Sequence, residues 1–194
     1  MSAMSHLVEL AVDEMRTALA PATDRDWDVP AGRLEWSCRE TVAHVADDLF
    51  SYASQVIAEP ADSYLPIEAV IDPHATNADS LLAVAMCGRL LRIAVDSAPP
   101  DARGWHPHGT SDPDGFAAMG VVEVLVHTHD VTTGLGLEWW PPSALSAPVL
   151  RRLFPLAPSG DAATVLLHVT GRRALVGHEL PTSWSWDSSV RVAD

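Results

Sequence analysis

Asp112-Pro-Asp-Gly-Phe-Ala-Ala-Met-Gly-Val-Val-Glu-Val-Leu-Val-His-Thr-His-Asp-Val-Thr-Thr-Gly134 reads as one helix with marked ends. The Asp112 carboxylate can accept from the free backbone N–H groups of a first turn. Pro113 follows at the first helical position, where no N–H is needed. Gly134 closes the periodic run, where a left-handed cap is common. Phe116, Gly120, Glu123, His127 and Val131 fall three and four residues apart and so share one face. Val122, Leu125 and Val126 widen the apolar surface beside it, which predicts a mostly buried helix. Glu123 and His127 nevertheless sit one turn apart and point the same way. A buried carboxylate needs a partner that offsets its lost hydration. A metal ion is the partner that accounts for both residues together.

Working outward, the periodicity predicts a mainly α chain. A first amphipathic helix spans residues 3–20, with Leu7, Leu10, Ala11, Met15 and Leu19 inward and Pro21 as its stop. His6 near its start reads as solvated. A second helix opens at Trp36-Ser37, where Ser37 and Glu40 form a capping box, and runs to about Ala58. His44 stands at the edge of its apolar stripe, with Asp48 one turn on. Cys38, in its first turn, reads as a packed thiol. A third helix, capped by Asn77, runs to about Val95 with Cys87 inward. The loop Trp105-His106-Pro107-His108-Gly109 leads into the central helix. Pro107 forces an extended chain that sends the two imidazoles apart, so the pair does not chelate one ion by itself. It lines the mouth of a site or belongs to a solvated loop. After Gly134 come a short helix from Ser143 to about Phe154 and another over residues 161–170 with Asp161 as cap. The tail, Leu180 to Val192, reads as an extended strand or strap around Trp184 and Trp186. The expected division is a four-helix bundle over residues 1–140 and a C-terminal appendage, helical and extended, over residues 141–194.

Composition narrows the function classes. The 194 residues suffice for a real core. The net charge is −14, with no lysine and 12 arginines. That argues against a nucleic-acid partner, which needs a basic face, and against docking on anionic lipid. No apolar run is long enough to span a bilayer. No basic region followed by an apolar core opens the chain, so a cytoplasmic setting is expected rather than secretion. Two cysteines, Cys38 and Cys87, fit reduced thiols rather than a disulfide framework.

In a four-helix bundle, His44 on the second helix can face Glu123 and His127 on the fourth. Two imidazoles and a carboxylate, with positions left open, suit a catalytic rather than a structural divalent metal. Zinc is the first choice; nickel, iron or manganese fit the same ligands. Asp48 and Asp130, each one turn beyond a histidine, are candidates to orient an imidazole through its second N–H.

Two blocks carry a resemblance. Trp36-Ser37…Glu40-Thr41-Val42-Ala43-His44, and His108-Gly109-Thr110…Asp112-Pro113…Gly115-Phe116…Glu123-Val124-Leu125-Val126-His127-Thr128-His129-Asp130, resemble the DinB-like proteins related to mycothiol-dependent maleylpyruvate isomerase. The resemblance covers roughly the first two-thirds of the chain. It implies a DinB-like four-helix bundle, a metal held by His44, Glu123 and His127, and a low-molecular-weight thiol as co-substrate. In the isomerase the C-terminal part contributes an Arg to the substrate site; Arg172 or Arg173 is the candidate here. The chemistry implied is attack of a metal-activated thiolate on a small electrophile, as a thiol transferase or an isomerase. Asp48, His106, His129 and Arg172 are the candidates for a catalytic group. His129, two residues from His127, points to another helix face and fits a rim position equally.

Three alternatives stand beside this reading: a metal hydrolase on the same ligands, a bundle that binds metal or a small ligand without turnover, and a packed bundle in which Glu123 and His127 satisfy each other. The expected partners are a small-molecule electrophile and a thiol. The sequence is consistent with a monomer or a homodimer.

Overall fold

The computed structural model describes residues 2–190. Six helices follow one another: α1 Ala3–Leu19, α2 Cys38–Ala58, α3 Asn77–Ser97, α4 Pro113–Gly134, α5 Ser143–Leu153 and α6 Ala162–Val169. No strand occurs among the described residues, only isolated bridges such as Gly104 with Ser111. The chain is a mainly helical bundle.

Capping chemistry sets the helix starts. Ser37 accepts from the Glu40 N–H while the Glu40 carboxylate reaches back to the Ser37 N–H at 2.7 Å, a closed capping box. Asp112 accepts from the Gly115 N–H at 2.7 Å, and Pro113 takes the first helical position. α3 departs from expectation. Its cap is Thr76, boxed with Asp79, and Asn77 is already helical. The Asn77 side chain instead donates to the carbonyls of Thr23 and Arg25, pinning the α1–α2 loop. α3 also continues past Val95 to Ser97. Pro21 does not stop the chain abruptly; it lies inside a 3₁₀ turn, Ala20–Ala22, that extends α1. Gly134 is the last residue of α4 rather than its left-handed cap, and that conformation falls on Gly136, at φ +66°.

The helix packing places the site. α1 and α2 each lie against both α3 and α4, so α4 runs beside α2 along its length. Between Gly115 and Thr132 nearly every α4 residue is buried, as its all-round apolar sequence requires. The close approach depends on Gly120. A Cβ there would stand 2.6 Å from Leu91 of α3 and 3.0 Å from Leu49 of α2. The core continues through Leu49, Leu91, Met119 and Leu125 into Leu153 and Leu166. α5 packs on α4, and α6 packs on α5.

Among the described residues the tail forms no strand. It runs as a strap: Trp184 and Trp186 pack against the core, the Asp187 N–H donates to the Leu153 carbonyl at 2.9 Å, and Ser188 is fully buried. The expected end of that strap at Val192 lies outside the described residues.

Candidate metal centre

Glu123 and His127 project from α4 toward α2, where His44 meets them. One ligand atom from each of the three lies within 4.8 Å of the others. The His127 Nε2 is 3.2 Å from Glu123 Oε2. The rings of His44 and His127 stand nearly perpendicular, with centroids 5.2 Å apart. Glu123 and His127 are buried, whereas the His44 side chain keeps 33% of its surface. Access to the group is therefore from the His44 side, where the Trp36 ring lies 4.7 Å from the imidazole.

A carboxylate stands behind each histidine. Asp48 Oδ2 meets His44 Nε2 at 3.0 Å, and Asp130 Oδ2 meets His127 Nδ1 at 3.0 Å. When His127 gives its Nδ1 proton to Asp130, the lone pair of the neutral ring is on Nε2, the nitrogen that faces Glu123. For His44 the contact uses Nε2 and leaves the lone pair on Nδ1.

The electrostatics follow from burial set against these contacts. Burial alone would depress the His127 pKa, but its hydrogen bonds to Asp130 and Glu123 and their charges push it up to about 9. Burial would raise Glu123, yet the hydrogen bond and charge of His127, with His44 and Arg172 nearby, hold it below the usual carboxylate range. Asp48 rises to about 6, because burial and the Glu123 charge outweigh His44. A buried carboxylate kept ionised, flanked by two imidazoles, is a donor set that a divalent cation fits.

The other sequence candidates fall elsewhere. His106 is not in a solvated loop: only 4% of it is exposed, and burial with the nearby His108 lowers its pKa to about 4. Nor do the rings of His106 and His108 diverge, since their centroids are 5.3 Å apart. The His108 backbone N–H donates to His106 Nδ1 at 3.1 Å, so the neutral ring carries its proton on Nε2. Trp186 stacks on His106 at 5.6 Å, and Tyr52 and Tyr64 lie 6.1 Å away. His129 is turned away from the centre toward Trp140, 6.5 Å from its ring, and burial lowers its pKa. Arg172 is engaged: it donates to both oxygens of Asp130. Arg173 instead lies over the Trp140 ring at 4.1 Å. Both cysteines are buried, and burial raises each thiol to about 11, so neither is a ready nucleophile.

One residue escaped the sequence reading. Tyr52 is fully enclosed, hydrogen-bonds Glu123 and has its pKa pushed well above the ordinary tyrosine value, by burial first and then by Asp48 and Glu123. It therefore stays protonated and donates to the carboxylate. The signal was present: His44, Asp48 and Tyr52 succeed one another at four-residue steps along one face of α2.

Fold and site together define a class: a helical bundle with a buried His–Glu–His group able to hold a metal ion. The sequence profile of the mycothiol maleylpyruvate isomerase N-terminal domain matches residues 8–132, and the chain belongs to that family. No curated protein and no solved structure matches the chain.

Proposed function

We propose that this protein binds one divalent metal ion, zinc in the first instance, through His44, Glu123 and His127, and uses it to join a low-molecular-weight thiol of the mycothiol type to a small electrophile, as a transferase or an isomerase. The observation that carries the reading is the convergence of the three ligand atoms within 4.8 Å, with an acidic side chain already set behind each imidazole, in a chain of this family. When bound, the ion supplies a Lewis acid that lowers the pKa of a coordinated thiol.

The remaining work falls to side chains. Asp130 meets His127 Nδ1 and so orients the ring, and Tyr52 and His127 hold the Glu123 carboxylate in place. With a pKa of about 6, Asp48 can accept a thiol proton at neutral pH and return it to a product carbanion. Trp36 beside His44 offers an apolar face on the open side, which suits a small unsaturated substrate over a highly hydrated one. Among the described residues no helix is long and apolar enough to cross a membrane. The reduced thiol co-substrate suits a cytoplasmic setting.

The test follows both loss of free thiol and thiol-dependent isomerisation of the alkene in a mixture of zinc-loaded protein, mycothiol and a panel of activated alkenes and epoxides. Turnover that falls at least about a hundredfold in His44→Ala supports the reading. Zinc-loaded protein that neither consumes thiol nor isomerises any alkene in its presence, yet hydrolyses an ester or amide in a parallel panel, replaces it with the metal-hydrolase reading.

A further inference from the structure

Arg172 comes from the segment after α6, beyond the residues that match the family domain, yet it reaches the centre. Its Nη2 donates to Asp130 Oδ2 at 2.8 Å and its Nε donates to Oδ1 at 3.3 Å, a two-point grip on one carboxylate. The same Oδ2 accepts from His127 Nδ1 at 3.0 Å. The guanidinium is itself fixed. Its Nη1 donates to the Thr170 carbonyl at 2.7 Å, and its Cζ lies 5.1 Å over the Trp184 ring. The side chains of His127, Asp130 and Arg172 are 6%, 5% and 10% exposed, so the whole row is shielded from competing water.

We infer that Arg172 is a positioning residue for the metal centre: it fixes the Asp130 carboxylate in the orientation that holds His127 Nε2 toward the ion. This rests on the metal reading proposed above and assigns part of the centre to the C-terminal segment. A free aspartate rotates about χ1 and χ2 and can offer either oxygen to the imidazole at many angles. The planar, forked guanidinium removes that freedom, which a lysine ammonium does only in part. Held at both oxygens by Arg172, the carboxylate has one oxygen set for the Nδ1 proton. The grip also occupies three of the five guanidinium N–H groups in contacts within the protein. Arg172 is thereby committed to Asp130 and the backbone rather than free to pair with a substrate. A cavity of about 250 Å³, lined by His129, Asp130, Arg172 and Trp184 among others, opens on the far side of this row. It gives a small solute a path to the place the guanidinium fills.

The experiment measures zinc affinity by chelator competition in wild type, Arg172→Ala, Arg172→Lys and Arg173→Ala, with the melting temperature of each metal-free protein recorded beside it. The inference expects Arg172→Ala to bind zinc about 10- to 100-fold more weakly, Arg172→Lys to fall between it and wild type, and Arg173→Ala to match wild type. Methylguanidinium added to Arg172→Ala at millimolar concentration restores affinity through the cavity, and restores none in Asp130→Ala. General destabilisation does not produce that pattern of rescue. If Arg172→Ala does not fold, Arg172→Lys alone decides. Wild-type affinity in the folded Arg172 variants overturns the inference and leaves the metal reading standing. Wild type that takes up no zinc overturns both.

Discussion

At the centre, each histidine works as a pair with a carboxylate on its own helix: His44 with Asp48 and His127 with Asp130. The spacings of four and three residues put both partners on one helical face, so the second contact comes from local geometry alone. His106 behaves differently. Its burial depends on Trp186 and Ser188, some eighty positions further along the chain. Neutral when folded, with a pKa of about 4 against an ordinary 6.5, it links stability to pH. The unfolded chain binds the proton more readily, so the stability contributed is full above pH 6.5 and is lost as pH falls toward 4. The melting temperature should therefore drop across that window. In His106→Gln, whose amide oxygen can still accept from the His108 N–H, the drop should be shallower by thermal melts compared at matched pH. Equal slopes would show that another group carries the dependence.

The Glu123–His127 pair was legible in the sequence because a Glu and a His at helical spacing on an apolar helix stand out against their neighbours. Tyr52 was missed although it follows His44 and Asp48 at four-residue steps, because its ring merges with the apolar stripe of α2 and only the tertiary approach of Glu123 gives its hydroxyl a role. Arg172 could not be placed for a related reason. Nothing near Gly171 signals that the following guanidinium travels back to Asp130, 42 positions earlier.

At the scale of elements, α4 is the helix on which the others are arranged. Both of its ends bear strong local signals, and its start at Pro113 follows from the Asp112 cap. α3 misled by one residue because Thr76 and Asn77 are both good caps, and the return contact of Asp79 to Thr76 decides between them. Removing that box by Thr76→Ala should cost about 1 kcal/mol, read by urea unfolding, with zinc affinity unchanged because α3 carries no ligand. Gly120 is the more demanding site. Gly120→Ala places a methyl against Leu91 and Leu49, which interdigitate there. The expected loss is about 1–3 kcal/mol in the same assay, the usual cost of overfilling a packed core. A neutral or stabilising Gly120→Ala would mean that α2, α3 and α4 are less tightly joined than the distances require.

Across the whole molecule, a net charge of −14 without a single lysine leaves acidic groups in large excess over basic ones. Self-repulsion of this kind weakens the compact state and is screened by salt. Raising sodium chloride from about 0.02 to about 0.3 M should raise the melting temperature by roughly a few degrees; no change would show that the excess charges lie too far apart to repel measurably. The C-terminal region is packed into this body. α5 packs on α4 and α6 on α5, the segment after α6 sets Arg172 against Asp130, and the strap beyond it brings Trp184 and Trp186 to the core. That the tail packs as a strap was readable from its tryptophans; that Arg172 ahead of it meets Asp130 was not, because long-range approach leaves no period in a sequence.

Metal content tests the central claim most directly. The protein should be purified without chelator or metal-affinity resin, reloaded with zinc, desalted and measured by elemental mass spectrometry beside Glu123→Ala treated in the same way. About one equivalent of zinc per chain in wild type, lost in Glu123→Ala while both keep the same helical circular dichroism, is the predicted result. Wild type that retains no metal after reloading would contradict the account and leave Glu123 and His127 as a buried pair that satisfies itself.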